Sequence, residues 1–260
     1  MKQFIKAYWK TLLFFASAGL IGGFFTGIYA LDSYPPEMQQ QLLDELAAAG
    51  LGAFSPDITM GIITAMQALG YGIILGAAGI LLGKRIGLWR DEKRITKNPL
   101  IASVILSVLG GAVLILSDLL FFGSYSETIM NSYSVKPTVP YLIASVVYGS
   151  VIEEVMLRLF LMSLVAFALW WVFDRKNERP STWVLITANV VAALLFAAAH
   201  LPATAAMIGL SPMIVFRCFL LNGGLGLTFG WLYRKYGLRC SMIAHGGCHV
   251  VSKLIWMLLI

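Results

Sequence analysis

Seven stretches of this chain are long and apolar enough to cross a lipid bilayer: Thr11 to Ala30, Ile58 to Leu82, Leu100 to Phe122, Tyr141 to Phe173, Trp183 to Leu201, Met213 to Tyr233 and Ser241 to Ile260. A membrane helix needs about 20 apolar residues, roughly twice what a barrel strand needs. In hydrocarbon every backbone N–H and C=O must be paired within the structure, which leaves only helices or closed barrels. The lengths therefore predict an all-α fold, a polytopic transmembrane helix bundle of about seven spans. Composition agrees: 59% of the 260 residues are hydrophobic and 12% charged, against roughly 45–50% and about 25% in soluble domains. Seven spans with short loops use up the chain, so residues 1–260 read as a single integral membrane domain. The segment before the first stretch is basic, as in a signal peptide, but the stretch itself is of span length without a small-residue cleavage site. Cys218, Cys240 and Cys248 lie in apolar surroundings and offer no disulfide framework.

A net charge of +6 would suit a nucleic-acid partner if the basic residues formed a patch, but they mark span ends instead. Lys2, Lys6 and Lys10 precede the first span; Lys84, Arg85, Arg90, Lys93, Arg94 and Lys97 follow the second; Arg175, Lys176 and Arg179 follow the fourth; Arg234, Lys235 and Arg239 follow the sixth. The alternate loops are nearly free of Lys and Arg. The positive-inside rule then puts the N-terminus in the cytoplasm and the C-terminus outside, and nucleic acid is discarded as a partner. The acidic loop Leu31 to Asp57 is long enough for a helix of its own, Glu37 to Ala48, lying on the outer surface.

Ionisable residues inside spans cost roughly 2.5–3.5 kcal/mol each even on lenient scales, so those present need a reason. They are Asp118, Glu153, Glu154, Arg158, Arg217, Lys253 and the chain's three histidines, His200, His245 and His249. Glu154 and Arg158 stand four apart, in the favourable order for a helical ion pair. Glu153 points about 100° away from that face and has no local partner. Phe196 and His200 share a helix face, as do His245 and His249. A structural Glu–Arg clamp with satisfied core histidines is the bland account of these residues. The sharper one is that carboxylate plus imidazole activates water, or that two imidazoles and a carboxylate hold a catalytic zinc; either implies hydrolysis. Of the remainder, Lys253 is expected to snorkel to an interface. Asp118 and Arg217 are expected to be interfacial, Cys248 a core residue, and Gly22, Gly23 and the glycines of 70–83 close helix contacts.

Glu153-Glu154-x-x-x-Arg158, Phe196-x-x-x-His200 and His245-x-x-x-His249, in that order, resemble the CAAX-processing and bacteriocin-processing (CPBP) family of intramembrane proteases, which includes CAAX prenyl endopeptidases and bacteriocin-immunity proteins. The resemblance covers a protease core at residues 140–255. It implies that Glu153 and His200 activate the hydrolytic water, that Glu154 is pinned by Arg158, and that His245 binds or polarises. His249 would donate a hydrogen bond to the oxyanion; it stands where the family pattern has Asn or Asp. The same side chains admit two cofactor readings, a zinc ion held by Glu153, His200 and His245 or a glutamate-activated water without metal. The implied substrate is a membrane-associated or lipid-modified peptide, a prenylated CAAX protein if the host prenylates. No HExxH, GxSxG, GxSG or GxGD motif competes. Two other classes use the same residues: a proton-coupled transporter, against which the lack of internal repeats counts, and a catalytically silent peptide-binding or immunity factor.

Counting at 1.5 Å per residue puts Glu153 and His200 roughly 25–27 Å from the cytoplasmic ends of their helices and His245 only roughly 8 Å. Straight spans would not bring them together. The expected remedy is a tilted fourth helix, or a sixth helix broken at Gly223, Gly224 and Gly226, where irregular backbone can line a cavity.

Overall fold

The computed structural model describes residues 2–51, 54–91 and 95–259; Lys93 and Arg94 of the second basic group, and Met1 and Ile260 at the chain ends, lie outside the described residues. Among the described residues there is no strand. The helices are α1 Lys2–Ser33, α2 Pro36–Ala48, α3 Pro56–Ile86, α4 Lys97–Leu120, α5 Glu127–Ser132, α6 Val139–Phe173, α7 Thr182–Ala199, α8 Leu201–Ile208, α9 Pro212–Tyr236 and α10 Leu238–Leu259. Six helical stretches are long and apolar enough to cross a membrane: α1, α3, α4 with the turn after it, α6, α7 running on through α8, and α9. The 22-residue α10 has the length as well, though His245, His249 and Lys253 dilute its apolar run. The surface helix expected at Glu37 to Ala48 is α2, which buries none of its residues.

Helix boundaries follow local chemistry. Pro56 follows the Ser55 N-cap of α3, a position where the missing N–H costs nothing. The same helix stops at Gly87, whose φ of +77° lets the Leu88 N–H reach back to the Gly83 carbonyl at 2.8 Å. Between α6 and α7, Asp174 accepts the Ser181 N–H at 2.7 Å and the Asn177 amide at 2.6 Å. These bonds hold its carboxyl below the usual carboxylate range, the Ser181 backbone contributing most.

Lipid tails are as apolar as leucine, so helices in a bilayer are held together by close packing and not by escape from solvent. The glycines do this work, as the sequence suggested: a Cβ at Gly23 of α1 would stand 2.7 Å from the Thr64 carbonyl oxygen of α3. Central to the bundle is α6, which touches α1, α3, α7, α9 and α10. Its Ile152, Val155, Leu159 and Met162 are fully buried, packed in one core with Ile80, Val184, Ala188 and Tyr233. Outward-facing residues such as Ile74, Val108 and Leu120 are apolar and exposed, the surface a bilayer covers.

Three irregularities bear on the depth problem. From Ala144 to Met162, α6 is wound with π-type i→i+5 hydrogen bonds, interrupted at Glu154; more residues per turn means less climb per residue, so Glu153 lies shallower than an α-helical count places it. The expected break in the sixth span is instead a π turn at Phe219–Gly223 within a continuous α9. The fifth span does break, at His200, because Pro202 follows in the first turn of α8 and its ring cannot continue the ladder of α7. The basic residues gather at one end of the bundle: Arg85 lies over the Trp170 ring, Arg179 packs on Gly87, and Arg90 donates to the Arg234 carbonyl.

Candidate active site

The centre of the site is the Glu154 carboxylate, which is completely buried. A buried carboxylate survives only if its acceptor sites are used, and all are. Arg158, one turn along α6, places Nη1 3.1 Å from Oε1. From α10 the Ser241 hydroxyl donates to Oε2 and His245 brings Nδ1 to 2.9 Å from Oε1. Arg158 is in turn fixed by donating Nη2 to the Gly226 carbonyl of α9 at 3.2 Å. Its guanidinium lies 4.7 Å from the Phe196 ring centre and 5.5 Å from that of Phe229, a cation–π sandwich that suits a planar, weakly hydrated cation. Glu154 and Arg158 therefore tie α6, α9 and α10 together.

Glu153 differs in being reachable, with its side chain 22% exposed. Its closest polar neighbour is His245, Nε2 to Oε2 at 3.8 Å. Because an ionised Glu154 accepts only, it receives the Nδ1 proton of His245, and a neutral imidazole then keeps a lone pair on Nε2. The ring is held flat against Phe229, centroids 4.6 Å apart, with the Phe196 edge 6.0 Å away. The depth conflict is thus resolved in the fold, since His245 bridges both glutamates of α6. His249 sits one turn on, its ring 5.1 Å from that of His245. Both Nε2 atoms face the backbone of Gly149, where an added Cβ would lie 3.1 Å from His249 and 3.5 Å from His245. Glycine keeps this space open one turn before Glu153.

His200 is placed differently from the expectation. At the end of α7 its Nδ1 donates to the Phe196 carbonyl at 2.8 Å, and its ring meets the Phe196 ring edge-on at 4.6 Å. Phe196 thus neighbours both His200 and His245, and among the described residues His200 makes no hydrogen bond to Glu153, His245 or His249. Nor do three His, Cys, Asp or Glu side chains converge to hold a metal ion among the described residues. The zinc set Glu153, His200 and His245 does not fit as placed, because Nδ1 of His245 is spent on Glu154 and His200 bonds to its own helix.

Two further expectations are corrected. Lys253 does not snorkel: it is buried, with Nζ 3.2 Å from His249 Nδ1. Asp118 and Arg217 are not separate interfacial charges but partners, with Nε and Nη2 at 2.6 and 2.5 Å from the two carboxylate oxygens and the Tyr133 hydroxyl donating to Oδ2 at 2.7 Å. Cys248 is a core residue against Gly110. Ser241, Gly149 and Phe229 are site residues that sequence reasoning missed. Ser241 had a signal, for it begins a polar stripe at four-residue spacing through His245, His249 and Lys253; Gly149 and Phe229 had none.

Residues 135–251, which hold Gly149, both glutamates and all three histidines, match the family model described as type II CAAX prenyl endopeptidase Rce1-like. No curated protein and no solved structure matches the chain.

Proposed function

Taking the CAAX-endopeptidase segment at 135–251 as the premise, we propose that this protein is an intramembrane endopeptidase that hydrolyses a membrane-associated or lipid-modified peptide with water activated by Glu153. The observation that carries the reading is the inequality of the two adjacent glutamates: Glu154 has every acceptor site filled, while Glu153 faces only the lone-pair nitrogen of His245 across 3.8 Å. That separation exceeds a direct hydrogen bond and suits a shared water.

In this scheme Glu153 takes a proton from the water as its oxygen bonds to the scissile carbonyl carbon. The oxyanion receives a hydrogen bond from His249. Glu153 then returns the proton to the departing amine nitrogen as the C–N bond breaks, leaving a carboxylate and an amine. His245, held by Glu154 and stacked on Phe229, orients the water. His200, whose Nε2 lone pair stays free, is the second acceptor and closes on the water when substrate is bound, since catalytic hydrogen bonds are often long before substrate arrives. No step passes through a metal. The basic end of the bundle faces the cytoplasm, with the N-terminus there and the C-terminus outside.

The test is cleavage of membrane-anchored peptides, prenylated and unprenylated, by the purified protein in nanodiscs, with and without a zinc chelator. Wild type should cut with the chelator present, and Glu153→Gln should not cut. Equal cutting by Glu153→Gln would overturn the assignment, and loss of activity on chelation would overturn its metal-free form.

A further inference from the structure

An Asn amide always has protons to donate, whereas a neutral imidazole donates from one nitrogen only, so a histidine at position 249 serves as a donor only if something sets its tautomer. The structure supplies it. Lys253 is 5% exposed, with Nζ 3.2 Å from Nδ1 of His249 and 4.3 Å from the centre of the Tyr141 ring. No carboxylate pairs with it among the described residues. An ammonium has three donors and no acceptor, so Nδ1 of His249 must present its lone pair and the single ring proton must sit on Nε2. That nitrogen faces the Gly149 backbone beside Nε2 of His245. We propose that Lys253 is a positioning residue that locks His249 as the Nε2–H tautomer and so makes it a hydrogen-bond donor to the reacting carbonyl. His245 is set the opposite way, its Nδ1 proton drawn to Glu154. Two imidazoles one helical turn apart thus face the same space, one accepting and one donating. The carbonyl-donor part rests on the endopeptidase reading; the tautomer does not. Lys253 also lies beyond the matched segment, which ends at residue 251.

Three histidines in the chain make ring-nitrogen NMR of uniformly histidine-labelled protein in nanodiscs tractable, with His249 assigned by the signals lost in His249→Asn. Wild type should show His249 with a protonated Nε2 and a bare Nδ1. Lys253→Met should shift the ring toward a tautomer mixture, and Lys253→Arg, which still donates, should restore it. In peptide cleavage Lys253→Met should lower kcat by about tenfold or more with KM little changed, the pattern of a lost transition-state contact. In a His249→Asn background the same Lys253→Met substitution should change kcat by less than about twofold, because the amide needs no lock. A proton on Nδ1 in wild type overturns the proposal, as does an equal loss from Lys253→Met in both backgrounds, which would make Lys253 a packing residue. The spectrum decides the lock even if wild type cuts nothing, a result that would sink the protease reading alone.

Discussion

Two acid–arginine pairs are buried in this bundle, and they are built differently. Asp118 and Arg217 are 99 residues apart in sequence and meet side-on, with Tyr133 completing the carboxylate's shell. Glu154 and Arg158 are one turn apart on α6, and Ser241 and His245 complete that shell from α10. Both carboxylates are saturated, and a saturated carboxylate holds helices together. What sets the second pair apart is its neighbour: Glu153 is beside it, reachable and unsaturated, and no such residue adjoins Asp118 among the described residues. A charged cluster in a membrane therefore marks a reactive site only where one of its acids is left with capacity to accept.

Four substitutions break or sharpen that contrast. Glu153→Gln, which removes the base and keeps the shape, should lower kcat for peptide cleavage by roughly 10²- to 10⁴-fold while thermal unfolding in nanodiscs stays near wild type; a large drop in stability would make Glu153 another clamp. Arg158→Met leaves Glu154 buried without its cation, which costs about 3–5 kcal/mol, and should lower both stability and cleavage because His245 loses a fixed partner. Asp118→Asn should cost about 1–3 kcal/mol, seen in denaturant unfolding, with cleavage per folded molecule unchanged; if activity falls as far as stability holds, the outer pair is coupled to the chemistry. Asp174→Asn is the smallest. Its carboxyl is held below the usual range, so its contribution is present above pH of about 4 and lost as pH falls through the folded-state value. The variant should therefore differ slightly from wild type near neutrality and converge with it in acid, as read by melting temperature against pH.

The helical signals were legible because they are local. Glu154 and Arg158 pair at four-residue spacing in sequence and in space, and the stripe carrying His245 and His249 runs on to Lys253 as a helix requires. Lys253 shows the limit of that reading, since its place on the stripe was visible while the choice between snorkelling outward and turning in toward His249 was not. His200 shows another. Its spacing from Phe196 was read correctly, but the same spacing lets its Nδ1 bond back to the Phe196 carbonyl, which turns that nitrogen away from Glu153.

The sequence by itself determined the helices, their membrane-spanning character, the Glu154–Arg158 pair and the segment in which chemistry is concentrated, because hydrophobic length and helical period are properties of neighbours along the chain. Only the tertiary structure decided which groups meet across helices: Asp118 with Arg217, Ser241 and His245 with Glu154, and Gly149 opposite two imidazoles. Those meetings depend on the relative depth and rotation of helices, set here by glycine contacts between α1 and α3 and by π winding in α6 and α9. A shift of one residue in either would move every facing side chain by about 1.5 Å along and 100° around its helix, and periodicity along a single helix does not encode that register.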